Sequence, residues 1–329
     1  MRQATLFEMN YKKILLPIIA IVLSGESCQQ SQQTNFNSYG HHATLSPKPG
    51  TAPAVPKDIE LPDSSNSDQT GSSNTRQADS TDHLLLGNPS GATSGTENAD
   101  NYLIDHKYYI ESYNSSKAEP NWVSWHIGAE DLGHADRSNN FRPDTDLPQG
   151  WYEANNTSYR GSGFDKGHNC PSGDRTSSTA ANSSTFLMDN IIPQAPNNNQ
   201  HTWEHLESYC RTQVKRGNEA YVIMGSYGTG GTGKKGYAET IDDGRINVPS
   251  HIWKVVVIIP QGDHDLQRIG NDTRLIAIDT PNDDSITPNW MNYLCTVRNI
   301  EKVTGYDLLS ALPKSVQDRI ELKKFTGGN

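Results

Sequence analysis

Residues 220–225, 252–259 and 274–278 are three short runs in which β-branched, aromatic and long aliphatic side chains fill nearly every position. A strand with one wet face alternates apolar and polar residues. Runs this short and this uniform instead predict strands buried on both faces. Residues 122–127 alternate more regularly and predict a half-buried strand. Helices are predicted at 202–216, 289–298 and 314–321, the second opened by Thr287 as cap and Pro288 in the first turn. These elements mix without the strand–helix–strand rhythm of a parallel sheet. An α+β fold in one domain of about 250 residues follows.

The folded region starts near His83 and runs to about Lys324. Residues 29–80 are dominated by Gln, Ser, Asn, Thr and Pro and cannot bury enough apolar surface to offset the entropy of ordering, so they predict a polar linker. That stretch also accounts for a hydrophobic content of 33%, low for a chain of 329 residues. Ahead of it, Lys12 and Lys13 precede an apolar run at 14–23 and then small residues and Cys28, the pattern of an export signal over residues 1–28. The run is too short to cross a bilayer comfortably. Cys28 resembles the lipid-carrying cysteine of bacterial lipoproteins, although Glu26 stands where such sites usually have a small residue; a lipid there would be the only membrane link. The expected location is outside the cytoplasm: secreted, periplasmic or lipid-anchored to the envelope.

Export permits a disulfide among Cys170, Cys210 and Cys295. A Cys210–Cys295 pair is favoured because both lie in predicted helices, with three buried thiols as the alternative. No Cys-x-x-Cys spacing is present, which excludes a zinc ribbon. The formal charge of −10 argues against a packaging or regulatory DNA-binding protein, which needs a basic face. A turnover enzyme needs only a local cationic groove.

The chemistry concentrates in two segments. In residues 164–176, His168 follows a glycine and stands between Lys166 and Arg175. About thirty residues on, 197–207 carry three consecutive asparagines, then Trp203 and Glu207. On an ideal α-helix one face carries Trp203, Leu206 and Cys210 with Asn199 and Glu207 at its upper edge, Glu207 about 80° from Asn199. An imidazole that accepts a proton, a fixed amide oxygen as a hard metal ligand and a carboxylate among cations are the parts needed to hydrolyse a phosphodiester. A histidine near its ordinary pKa of about 6.5 would lose this activity below about pH 6.

The run Gly163 to Thr176, the following 186–194 and Asn199 through Glu207 resemble the signature of the DNA/RNA non-specific endonuclease family, to which endonuclease G belongs. Residues 122–125 and 137–144 are similar too, so the likeness spans roughly 83–325 and implies a nuclease domain over 81–329. It implies a ββα-metal (His-Me finger) fold, with a central, mostly antiparallel sheet flanked by helices. The implied activity is Mg²⁺-dependent (Mn²⁺ tolerated) cleavage of DNA and RNA that leaves 5′-phosphate ends. Carried onto this sequence, His168 is the general base and Asn199 the metal ligand. Glu207 holds the waters around the metal, and Arg137 binds phosphate, with Arg142 as the fallback. Lys166 and Arg175 complete the substrate-binding cations. Lys166 departs from the family's usual arginine and lacks its planar fork.

Competing readings attach to several of these residues. Any asparagine of 197–199 could cap a helix, and Asn198 is the alternative metal ligand. His201, Glu204 and His205 spell a His-x-x-Glu-His zinc-protease pattern, but on the wheel both histidines lie opposite the apolar stripe and face water. A non-catalytic surface-binding lipoprotein is the third class. The glycine-rich stretches 159–163 and 228–236 are turns or hairpins first and phosphate contacts second.

Overall fold

The computed structural model describes residues 83–327. The expected export signal, the lipidated Cys28 and the linker 29–80 lie outside the described residues.

The three uniform runs form three neighbouring strands of one antiparallel sheet. Its strands are β1 (Tyr102–Asp105), β2 (Ile110–Asn114), β3 (Glu119–Ile127), β6 (Asn218–Tyr227), β7 (His251–Pro260) and β8 (Arg274–Pro281), hydrogen-bonded in that order. Two shorter strands, β4 (Asp165–His168) and β5 (Ile191–Gln194), pair separately, His168 opposite Ile191, with the short helix α1 (Thr179–Ser184) between them in sequence. Alternate residues of β7 serve different cores: Trp253, Val255, Val257 and Ile259 join one, Ile252, Val256 and Ile258 the other. The first core is closed by α3 (Val297–Thr304) and α4 (Lys314–Ile320) through Val297, Ile300 and Ile320. The second is closed by Ile192 of β5 and by Leu206, Cys210 and Val214 of α2 (Glu204–Lys215). Two covered faces explain why these strands do not alternate.

β3 is likewise buried on both faces, not half-buried as its pattern suggested. Trp122 lies in the first core and Val123, Trp125 and Ile127 in the second, and Ser124 and His126 are buried with them. Gly225, paired with Trp122 on one side and Trp253 on the other, makes the close approach possible. A Cβ there would fall 2.6 Å from the Trp253 ring and 2.3 Å from the Asn121 carbonyl.

The predicted helix at 289–298 is not formed. A single 3₁₀ turn, Trp290–Tyr293, is capped by Asn289. Leu294 then bridges Ile278 of β8, and Cys295 N–H donates to the Ala277 carbonyl at 2.9 Å. These contacts occupy backbone groups that an edge strand would otherwise expose. The helix begins later, at a capping box of Thr296 with Asn299. The Cys210–Cys295 pairing also fails: all three thiols are free, and these two pack against opposite faces of the sheet.

Candidate active site

Strands β4 and β5 followed by α2 make a ββα unit lying on one face of the sheet. The helix does not start as a regular α-helix. Asn198–Trp203 form a π turn that runs into Glu204. A π turn inserts one residue, which rotates what precedes it by about 100° relative to the helix that follows. The wheel reading of Asn199 is corrected accordingly. Asn199 leaves the apolar stripe and joins the face of Glu204, Glu207 and Arg211.

All four of these residues line a cleft of about 400 Å³, together with Arg137, Lys166, His168, Pro171, Ser172 and Gln200. Asn199 Nδ2 donates to Asp165 Oδ2 at 2.9 Å, and Gln200 Nε2 donates to the same oxygen at 2.8 Å. Asp165 at the start of β4 thus fixes the amide with its nitrogen engaged and leaves Asn199 Oδ1 for a ligand. Asn198, the alternative, is fully buried and donates to Thr280 Oγ1 and the Pro281 carbonyl, a purely structural use.

His168 ends β4, packed between Phe141 and Phe186 with ring centroids 5.4 and 4.9 Å away. Its Nε2 has no hydrogen-bond partner. Burial, and then the charges of Arg137 and Lys166, lower its pKa to about 3. The expected loss of the neutral base near pH 6 therefore does not apply to the free protein. A histidine-selective NMR titration is expected to show the His168 ring neutral from pH 8 to about pH 4; a midpoint near 6.5 would contradict the packing argument. Stability carries the opposite sign. Below about pH 6.5 the unfolded ring takes a proton that the folded ring refuses, so this residue's contribution declines until about pH 3, where both forms are protonated.

Arg137 is exposed to the cleft, stacked 4.9 Å over Phe186 and hydrogen-bonded to Ser172 Oγ and, at 2.9 Å, to Asn139 Oδ1. Lys166 Nζ sits over Phe141 and donates to Asn156 Oδ1 at 2.6 Å. Arg142 does not line the cleft; it donates to the Ser183 carbonyl at 2.8 Å.

Arg175 is the clear correction. It is fully buried and donates to the carbonyls of Tyr108, Asp174 and His126 at 2.8–2.9 Å, with Asp131 at 3.5 Å, so it cannot meet a substrate. Replacing it by Met is expected to strand three buried carbonyls and the Asp131 charge, costing about 3–5 kcal/mol. Thermal unfolding checks this. A variant as stable as wild type but with a raised KM for DNA would restore the substrate role.

Glu207 faces the cleft between two cations, Lys254 Nζ at 3.2 Å from Oε1 and Arg211 at 3.9 Å from Oε2. Burial pushes its carboxyl above the usual range, with Lys254 and Arg211 pulling against it. Lys254 is 1% exposed, within 4.8 Å of the Trp203 ring, and rises from the middle of β7 to reach Glu207. It escaped the sequence reading; the signal was one charged residue inside an otherwise apolar run. Lys254→Met is expected to leave the Glu207 carboxylate uncompensated, costing about 3–5 kcal/mol. It should also raise the Glu207 pKa, so that activity falls most at low pH. Wild-type stability with an unchanged pH profile would refute the pairing. Asp165 and Arg211 were missed as well, since their roles depend on contacts across the cleft. Arg211 also binds Asp174 at 3.0 Å, whose other oxygen accepts from Trp125 Nε1.

His201, Glu204 and His205 are all exposed, and His205 Nδ1 lies 3.0 Å from the Pro288 carbonyl. The 159–163 and 228–236 stretches pack on each other: Lys235 Nζ donates to the Gly161 carbonyl and Lys234 N–H to that of Gly163. Gly163 has φ +91°, and a Cβ there would meet the Lys235 backbone at 2.9 Å. The turn reading thus stands.

A histidine on the first hairpin and an asparagine at the start of the following helix, opening on one cationic cleft, define the ββα-metal nuclease class. The DNA/RNA non-specific endonuclease family model matches residues 87–315. The chain belongs to that family, whose members are divalent-metal-dependent enzymes hydrolysing nucleic acid. A nuclease of Nostoc sp. is 44% identical over 241 residues, covering 73% of this chain and 85% of that protein. Human mitochondrial endonuclease G is 29% identical over 236 residues, 69% of this chain and 75% of its own length. A crystal structure of the EndoG/EndoGI complex superposes with a TM-score of 0.60 over 76% of this chain and 99% of that one, at 22% identity, and supports the fold.

Proposed function

We propose that the protein is a Mg²⁺-dependent, sequence-non-specific endonuclease that uses His168 as general base and Asn199 as the metal's direct protein ligand. The observation that carries this is the orientation of Asn199 by Asp165, which turns a neutral amide oxygen into the cleft that His168 also lines. The donors at that end of the cleft are an amide and a carboxylate, hard oxygens suited to Mg²⁺, with Mn²⁺ tolerated. When bound, the metal supplies positive charge beside the scissile phosphate and the leaving oxygen. The neutral ring of His168, which lines the cleft, takes a proton from the attacking water. Arg137 and Lys166 hold the phosphate, and Glu207, anchored by Lys254, fixes the outer solvent of the site. Loss of the 3′ oxygen as leaving group gives 5′-phosphate and 3′-hydroxyl ends.

Contacts directed at phosphate carry no sequence information, which supports broad action on DNA and RNA. Residues 12–28 further support export, with Cys28 as a lipid attachment point. A plasmid-nicking assay tests the central reading: conversion is expected with Mg²⁺ and none with chelator. Nicking that persists in chelator, or caseinolysis with Zn²⁺ in place of nicking, would overturn it.

A further inference from the structure

Outside the cleft, His106, Glu111, Asp144 and Asp189 gather several buried polar atoms without hydrogen bonds. Glu111 of β2 is 0% exposed, and neither of its carboxylate oxygens has a partner. His106, just before β2, brings its buried Nε2 to 3.5 Å from Glu111 Oε1 and 3.3 Å from Asp189 Oδ2. These are ion-pair distances, but neither contact has hydrogen-bond geometry. Asp189 is 2% exposed, its other oxygen held by the Asn190 N–H at 2.9 Å. Asp144 lies against Asp189, and its Oδ2 is buried and unpartnered too.

Two buried carboxylates thus share one imidazole as their charged partner with no hydrogen bond between them and it, a costly arrangement in a dry pocket. The ligand atoms of His106, Glu111 and Asp189 all lie within 4.8 Å of one another. Bonds of about 2.0–2.1 Å to a tetrahedral Zn²⁺ place ligand atoms about 3.3–3.4 Å apart, close to the 3.5 and 3.3 Å between His106 Nε2 and the two carboxylates. A neutral imidazole and the two ligand carboxylates also balance a doubly charged ion, and the site is neutral when Asp144 holds its proton against Asp189. We propose that His106, Glu111 and Asp189 form a second, structural metal site for a divalent transition ion such as Zn²⁺, chemically distinct from the all-oxygen cleft. The imidazole nitrogen sets the preference, because Mg²⁺ favours oxygen ligands alone.

The site ties β2 to the turn ahead of β5. Asn190, next to Asp189, clamps the chain just after His168: its Oδ1 accepts from Cys170 N–H and its Nδ2 donates to the Cys170 carbonyl, each at 2.9 Å. An ion at Asp189 therefore braces the segment that carries the histidine of the cleft.

The test is metal content. The purified full chain is stripped with chelator, loaded with Zn²⁺ in excess Mg²⁺, passed through gel filtration and analysed by mass spectrometry for zinc. About one equivalent is expected to stay with wild type and with Asn199→Ala, and less than a tenth of that with Glu111→Gln or Asp189→Asn. His106→Gln, at the rim, serves if the buried variants misfold, and circular dichroism checks each fold. Co²⁺ substitution of wild type should give the strong visible absorption of a tetrahedral centre. Wild type free of zinc after filtration and without that absorption, or Glu111→Gln retaining a full equivalent, would overturn the proposal. Zinc-free protein that still nicks plasmid with Mg²⁺ sinks this site alone. Zinc-loaded protein inactive with Mg²⁺ sinks the nuclease mechanism alone.

Discussion

His168→Ala is expected to lower the plasmid-cleavage rate about 10²–10⁴-fold while the protein stays folded, the loss typical of removing a positioned general base. The fold should survive because the ring's Nε2 holds nothing in place. What is lost structurally is packing against Phe141 and Phe186 at the cleft wall. His168→Gln keeps part of that packing and a polar tip without a ring nitrogen, so it should be as slow as the alanine variant but more stable. The comparison separates chemistry from packing. If both variants cleave within a few-fold of wild type, a different group takes the proton.

Asn199→Ala should raise the Mg²⁺ concentration needed for half-maximal cleavage by at least about tenfold and depress the rate at saturation. The Glu207 carboxylate stays in the cleft, but the amide oxygen that Asp165 holds in place is lost. Stability should change little, because Asp165 keeps its second donor in Gln200. Asp165→Asn probes the same site from behind. Without the carboxylate, the Asn199 amide is free to turn its nitrogen toward the cleft, and metal dependence should shift in the same direction by a smaller factor. A fall in thermal midpoint with unchanged Mg²⁺ dependence in Asn199→Ala would reduce that residue to a helix-start contact.

Strands β7 and β8 were legible because burial on both faces writes itself locally, as in residues 252–259 and 274–278. The helix at 314–321 was legible because Val316 and Ile320, one turn apart, mark the single face that packs on the first core. By contrast, 289–298 was misread because its local helical pattern competes with the exposed edge of β8, and Leu294 and Cys295 answer to that edge. The position of Asn199 was misplaced on the wheel by one inserted residue, which no periodicity count reveals. Arg175 stood beside His168 in the motif and looked like a phosphate contact. Its acceptors at Tyr108 and His126 come from far up the chain, and they turn it inward.

The linear order of side chains was enough to determine the α+β class, the histidine and asparagine of the cleft and the family, since each depends on residue type at short spacing. Which cations reach the cleft, which way the Asn199 amide faces, and how Lys254 and Glu207 come to meet were decided only by the folded chain. Those depend on distances between residues far apart in sequence. Packing two layers onto one sheet sets those distances, and local propensity does not.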